Sequence, residues 1–168
     1  MKPSSASPAG GRLAGLSRPI AILVAGVGGA LAIFVLATIQ SRTSLAMLVP
    51  SFGASCALVF AHPESPFAQP RNVIGGHLVS SAFGLLALAV LGTGPIAMAA
   101  GVGLAIAGMM ATRTMHPPAG GDPLIVILTA APISFLAQPI LFGTCVIVLI
   151  GAAYHRLRGA DYPLQPLA

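Results

Sequence analysis

The residues of this chain best suited to chemistry stand in one Pro/Gly-dense stretch, residues 115–123, which interrupts otherwise apolar sequence. The stretch places an imidazole, His116, before two prolines and a carboxylate, Asp122, just before an apolar run at 124–131. In a membrane protein, irregular backbone is tolerated only where it is buried in protein or lines a wet cavity. Because transporters bind substrates at interrupted helices of this kind, this stretch is the first candidate binding site.

Composition places the surrounding elements in a membrane. Charged residues make up 7% of the chain, hydrophobic residues 56%, and the mean hydropathy is +0.94, whereas soluble domains carry roughly 25% charge. The 168 residues leave room for about four to six spans. Basic residues give a net charge of +5, but they stand singly at the ends of apolar runs, as topology signals do. Nucleic-acid binding is therefore excluded.

Four charge-free runs are predicted to be full spans, at 20–39, 73–91, 95–112 and 139–154. Two further apolar segments are interrupted by Pro and Gly. The first, 43–61, is interrupted at 50–55, and the second, 114–131, at the stretch described above. Each is either a broken span or a re-entrant half-helix. Charge placement favours six crossings with both termini cytoplasmic, because only Arg42 then lies outside.

A repeat is predicted within this helical bundle. Residues 61–70 align with residues 130–139 at a shift of 69, with six of the ten positions identical. Each half would be helix, broken helix and helix, covering about 20–92 and 95–156. Three crossings per half would invert the second half and place a site between the halves.

Polar ends flank the predicted transmembrane domain, which covers residues 20–158. Residues 1–19 are rich in Ser, Gly and Pro and contain no acid, which predicts a flexible cytoplasmic tail. Residues 159–168 are predicted to form a short C-terminal tail.

Both breaks have features of helix starts that attract anions. Asp122 before Pro123 is typical of an N-cap followed by the first helical residue, and Ser51 or Ser55 could cap a half-helix after Pro50. Helix N-termini present unpaired N–H groups and about half a positive charge. Two such ends facing each other near mid-membrane would bind an anion.

Individual side chains near the two breaks are expected to have specific roles. Arg113 either attracts the anion or extends to the headgroups, and the Thr114 hydroxyl is a further donor. His116 holds the turn, donates to the anion or carries a proton, and His77 is a second candidate for the cavity. The predicted substrate-binding residues are Arg113, His116, Gly120, Gly121, Ser51, Ser55, Thr114 and His77, and the predicted structural-break residues are Pro50, Gly53, Pro117, Pro118, Asp122 and Pro123.

No metal site or cofactor is predicted. Cys56 and Cys145 each lie inside an apolar run, without a CxxC or Cys/His spacing. His62, His77 and His155 show no ligand spacing either.

The sequence at 113–121, with Pro-Ser-Phe-Gly-Ala-Ser upstream at 50–55, resembles the HPP family of integral membrane proteins, which is named for the triplet found here at 116–118. The stretches 68–72 and 75–77 are also similar to the family, and the resemblance covers about 18–158. It implies four transmembrane helices. Some members are linked to nitrite transport in cyanobacteria and chloroplasts, which implies a small-anion transporter.

The sequence therefore predicts an inner-membrane transporter or channel for a small inorganic anion, nitrite first, with proton coupling as an option. The protein is expected to form a homo-oligomer and to have no enzyme activity. One alternative is an intramembrane enzyme with Ser51 or Ser55 as nucleophile and His116 as base, which needs a hydrogen-bonded Ser–His pair. A second is a non-transporting subunit or sensor with a closed interface between the breaks. A third is a cation pathway lined by Asp122 and Glu64.

Overall fold

The computed structural model describes residues 18–164, and the regular structure in that range is entirely helical. The tail predicted at 1–19 lies outside the described residues except for its last two positions. Six α-helices follow one another: α1 Arg18–Arg42, α2 Ser51–Ala61, α3 Pro70–Leu91, α4 Pro95–Ala111, α5 Asp122–Leu128 and α6 Phe142–Leu157. Short 3-10 turns lie at Pro66–Ala68, Pro117–Gly121 and Ile133–Leu136, and a π-helical turn at Ala137–Leu141 leads into α6.

Three helices are long and apolar enough to cross a membrane: Arg18–Arg42, Pro70–Leu91 and Ile133–Leu157. They correspond to three of the four predicted full spans. The fourth, α4, has 17 residues, which gives a length of about 26 Å. The arrangement of four spans plus two broken helices therefore stays a prediction.

Proline and residues with positive φ set the helix boundaries. Pro70 and Pro95 stand in the first turns of α3 and α4, where the missing N–H costs nothing. Gly92, with φ 71°, ends α3. Arg113 adopts φ 56° directly after α4, a left-handed position that usually favours glycine.

Both predicted breaks differ in detail from the expectation. The first break, predicted at 50–55, lies before residue 51. Pro50 is the N-cap of α2, and this helix continues unbroken through Gly53. In the second, the 3-10 turn Pro117–Gly121 leads into α5, whose N-cap is Gly121 rather than Asp122. Pro123 sits within the first helical turn, where it interrupts no hydrogen bond.

The order of elements follows the predicted repeat. Helix, short helix, 3-10 turn and helix run from α1 to α3 and again from α4 to α6, with an additional 3-10 turn before α5 and a π-helical turn before α6 in the second half. A shift of 69 carries the last residue of α1, Arg42, onto the last residue of α4, Ala111. The inverted orientation of the two halves stays a prediction.

The apolar core joins α1, α2 and α6, and small residues let the helices approach closely. A Cβ on Gly143 would lie 2.4 Å from the Phe52 ring, and one on Gly151 would lie 2.5 Å from Val59. The described part of the predicted C-terminal tail also joins this core. Tyr162 is buried there and donates a hydrogen bond to the Ala68 carbonyl at 3.0 Å, and burial raises the pKa of Tyr162.

Candidate functional site

Two glycines form a notch in α3 that receives the segment before the Pro117–Gly121 turn. A Cβ on Gly75 would lie 2.8 Å from the Thr114 side chain, and one on Gly76 would lie 2.6 Å from the His116 Cβ. The side chains of Arg71 and Asn72, one turn earlier, donate to the carbonyls of residues 112 and 115 at 3.1 and 2.8 Å. The notch thus brings His116 against the next residue of α3, His77.

Five side chains meet at this junction and form what we call the polar cluster: Ser51, Ser55, His77, His116 and Asp122. Ser51 is 9% exposed and the other four are fully buried. The first three come from the first half of the predicted repeat and the last two from the second half. His77 is the eighth residue of α3, which places it about 10 Å from the start of a helix about 33 Å long.

The Asp122 carboxyl group lies at one end of the polar cluster and makes three hydrogen bonds. Ser51 Oγ donates to Oδ1 at 2.7 Å, and Ser81 Oγ donates to Oδ2 at 3.3 Å. His77 Nδ1 lies 2.6 Å from Oδ2. A carboxylate satisfied by three donors can stay buried among apolar helices.

A chain of hydrogen bonds continues from His77 to the opposite side of the cluster. Ser55 Oγ lies 2.8 Å from His77 Nε2 and 2.9 Å from His116 Nε2. His116 Nδ1 lies 2.7 Å from the Phe67 carbonyl. Because a carbonyl only accepts, Nδ1 of His116 is assigned as the donor, and its Nε2 in the neutral ring accepts.

Counting donors along this chain assigns one extra proton to the pair formed by His77 and Asp122. Ser55 has a single hydroxyl proton, and besides the two imidazoles its Oγ has the Ser51 carbonyl within range at 3.1 Å. His116 Nε2, at 2.9 Å, is closer than that carbonyl, and donating the proton to His116 means that His77 Nε2 must donate to Ser55. His77 Nδ1 and the facing carboxylate of Asp122 then share one further proton. Whether the pair is imidazolium and carboxylate or imidazole and carboxylic acid, its net charge is zero, as burial in an apolar bundle demands.

Several of the backbone N–H groups predicted to bind an anion already have partners. In α2, the N–H groups of Phe52 and Gly53 donate to carbonyls of the preceding turn at 3.0 and 3.2 Å. In α5, the Asp122 N–H donates to the Ala119 carbonyl, and Pro123 has none to offer. The donors of the polar cluster are therefore side chains rather than free helix N-termini.

Four of the predicted substrate-binding residues lie outside the polar cluster. Arg113 is exposed at the end of α4. Thr114 is buried in the α3 notch, and its hydroxyl pairs with that of Thr112 at 2.7 Å. Gly120 and Gly121 are half-buried, with open space where a Cβ would stand.

Two residues that hold the cluster together were missed at the sequence level. Ser80 Oγ donates to the Ala119 carbonyl at 2.6 Å, which fixes the 3-10 turn on α3, and Ser81 Oγ donates to Asp122. Ser80 follows His77 by three residues and Ser81 follows it by four. That spacing puts all three side chains on one face of a helix and was the signal available in the sequence.

Long apolar helices around a buried polar junction define the class: this is an integral membrane protein. Its family follows from comparison, because the HPP transmembrane region matches residues 15–163. The chain belongs to the HPP family, and the resemblance drawn from the sequence motifs is confirmed.

Two relatives are transmembrane proteins of Dictyostelium discoideum. They are 34% and 35% identical to this chain over alignments of 145 positions, which cover 79% of this chain. The match covers 47% and 51% of the relatives, so the chain spans about half their length. No solved structure matches the chain.

Proposed function

We propose that the protein carries a small inorganic anion across the membrane together with a proton, and that both pass through the polar cluster. The observation that supports this most is the buried chain of hydrogen bonds from Asp122 through His77 and Ser55 to His116. Ionisable side chains inside membrane segments are costly, and they commonly mark ion pathways and proton relays. The resemblance to members linked to nitrite transport makes nitrite the first substrate to test.

The donors around Asp122 support an anion as the substrate. Nitrite and a carboxylate share a geometry, with two oxygens on one central atom and a single negative charge. The hydroxyls of Ser51 and Ser81 and the Nδ1 of His77 hold the carboxylate, so the same three donors suit nitrite. In this proposal the carboxylate of Asp122 occupies the site until the substrate replaces it.

Protonation of Asp122 provides the coupling. A neutral carboxylic acid is a weaker acceptor than a carboxylate, so an incoming proton releases the donors of Ser51, Ser81 and His77 for the anion. The cluster stays neutral when one proton and one anion enter together. Since Ser55, His77, His116 and Asp122 are fully buried, helices or side chains must move before an ion reaches them.

The intramembrane enzyme is a second candidate because one of its requirements is met. Ser55 Oγ lies within 3 Å of two histidines, at 2.8 and 2.9 Å, and Asp122 faces the far nitrogen of His77 as a serine hydrolase would require. Ser55 is fully buried, however, and its hydroxyl is already bonded, so a substrate carbonyl has no approach. We therefore propose no enzyme activity, and labelling of Ser55 by a fluorophosphonate probe would contradict this.

Nitrite uptake into proteoliposomes tests the transport proposal. Ser55→Ala and His116→Ala are expected to abolish uptake because each interrupts the hydrogen-bond chain. Ser134→Ala is the matched control, since Ser134 is exposed in the turn Ile133–Leu136, and its uptake should equal that of the wild type. Uptake equal to that of empty liposomes in folded wild-type protein would favour a non-transporting subunit or sensor, which a fully buried cluster also fits.

The cellular setting belongs to the same proposal. A bacterial plasma membrane with both termini in the cytoplasm agrees with the distribution of basic residues. A homo-oligomer is proposed because so short a chain encloses little volume. Cysteine labelling of Asp161→Cys from either side of sealed vesicles tests the position of the C-terminus.

A further inference from the structure

Three helix ends bring basic side chains together at one edge of the bundle. Arg18 begins α1, His62 follows α2, and Arg158 follows α6. All three line a cavity of about 290 Å³, which we call the basic mouth, and the other walls are mainly apolar and belong to Ala21, Ile22, Ala25, Phe60 and Ala61.

An apolar groove of about 570 Å³ leads away from the basic mouth between α1 and α2. The two spaces share four lining residues, so they are continuous: Ile22, Ala25, Phe60 and Ala61. The groove follows α1 from Ile22 to Ile33, which is about 16 Å of helix and about half the hydrocarbon thickness of a bilayer. Its depth is therefore that of one lipid leaflet.

Small residues keep the groove open. A Cβ built on Gly26 or on Gly53 would meet no atom within 4 Å. A Cβ at either position would therefore enter the groove without a clash.

Arg158 has capacity to bind a further acceptor in the basic mouth. Its Nη1 donates to the Tyr154 hydroxyl, and its guanidinium lies 5.2 Å from the Tyr154 ring centroid. Its Nη2 is covered by protein and has no hydrogen-bond partner within residues 18–164. A guanidinium nitrogen buried without an acceptor is unfavourable, and a turn of the side chain towards the mouth would bring this nitrogen to phosphate oxygens.

One acidic side chain contacts the basic mouth. Glu64 Oε1 lies 3.6 Å from His62 Nδ1, and the two side chains are 67% and 65% exposed. Glu64 therefore faces His62, and the positive charge of the mouth comes from Arg18 and Arg158.

We propose that the basic mouth and the groove together bind one anionic phospholipid from the bilayer. The phosphate lies between Arg18 and Arg158, and an acyl chain fills the groove along α1. Arginine binds phosphate through paired hydrogen bonds, and basic pockets between transmembrane helices bind lipid headgroups. This site is independent of the polar cluster and of the proposed transport.

Native mass spectrometry of the full chain in detergent tests the proposal with phosphatidylglycerol and phosphatidylcholine of equal chain length. Phosphatidylglycerol is expected to bind more tightly, and Arg158→Gln to weaken it about fivefold, the effect of one basic residue at a lipid surface. Arg42→Gln is the matched control, because it removes the same charge at the opposite end of α1 and should leave binding unchanged. Equal binding of the two lipids, or an equal loss in both variants, would overturn the proposal.

A second variant distinguishes a lipid from a free phosphate ion. Gly26→Leu should weaken phosphatidylglycerol binding by filling the groove, while its charge and its helix contacts stay the same. Inorganic phosphate that displaces the lipid, combined with unchanged lipid binding in Gly26→Leu, would assign the mouth to free phosphate and overturn the lipid site. The two variants alter different parts of the site, so either one alone suffices if the other fails to fold, as judged by circular dichroism.

Discussion

Replacing Asp122 with alanine removes the acceptor shared by Ser51, Ser81 and His77 at one end of the polar cluster. Three buried donors lose their partner: the hydroxyls of Ser51 and Ser81 and the Nδ1 of His77. The third belongs to the pair that holds the extra proton, so the change also leaves a buried proton without its counter-charge. This single substitution therefore tests the hydrogen-bond arrangement assigned here.

The magnitude follows from those lost contacts. Leaving one buried neutral donor unpaired costs about 1–3 kcal/mol, and breaking a buried ion pair by removing one partner costs about 3–5 kcal/mol. The terms are not additive, because His77 can lose its proton in the variant. We expect Asp122→Ala to lower the free energy of unfolding by about 3–5 kcal/mol and Asp122→Asn, which keeps one acceptor oxygen, by about 1–3 kcal/mol.

Unfolding by sodium dodecyl sulfate in mixed micelles, followed by circular dichroism, measures the loss. Asp161→Ala is the matched control, because Asp161 is exposed after α6 and its removal should change the free energy by less than about 0.5 kcal/mol. If Asp122→Ala unfolded within about 1 kcal/mol of the wild type, the carboxylate would not be the acceptor of three buried bonds and the proton assignment would fail.

Three further predictions use the same unfolding assay. Gly76→Ala should lower the free energy of unfolding by about 1–3 kcal/mol through overpacking, whereas Gly53→Ala, in open space within a helix, should raise it by up to about 1 kcal/mol; equal effects would contradict the α3 notch. Arg113→Gly should raise it by about 0.5–1 kcal/mol, because glycine adopts the left-handed turn at φ 56° without strain, and a loss would refute that reading of the turn. Tyr162→Phe should lower it by about 1 kcal/mol by removing the bond to the Ala68 carbonyl. Burial raises the pKa of Tyr162, so wild-type stability should fall as the pH rises above about 10, more steeply than in Tyr162→Phe.

Much of the fold could be predicted because apolar runs and prolines act locally. Pro70 and Pro95 begin α3 and α4 within a few residues of the predicted spans. The repeat read at 61–70 and 130–139 stays a prediction. The first break was predicted too far along the chain, because Gly53 suggested an interruption that helix packing does not require.

The polar cluster could be predicted only in part. Ser51, Ser55, His77 and His116 were identified by their chemistry and their closeness to the breaks. The bonds of Ser51 and His77 to Asp122 were not, because they join residues 71 and 45 positions apart and depend on how α2, α3 and α5 pack. Asp122 was read as a helix cap from its local sequence, whereas tertiary contacts turn its carboxylate towards α2 and α3.

The most direct test of proton-coupled nitrite transport through Asp122 compares the wild type with Asp122→Asn. Nitrite uptake into proteoliposomes is measured for both proteins with and without an inward proton gradient. The amide cannot take up the coupling proton but leaves the same donors for the anion. The gradient is expected to accelerate wild-type uptake above that of empty liposomes, and Asp122→Asn, where folded, is expected to retain nitrite exchange without any response to the gradient. An equal response to the gradient in both proteins would contradict proton coupling through Asp122.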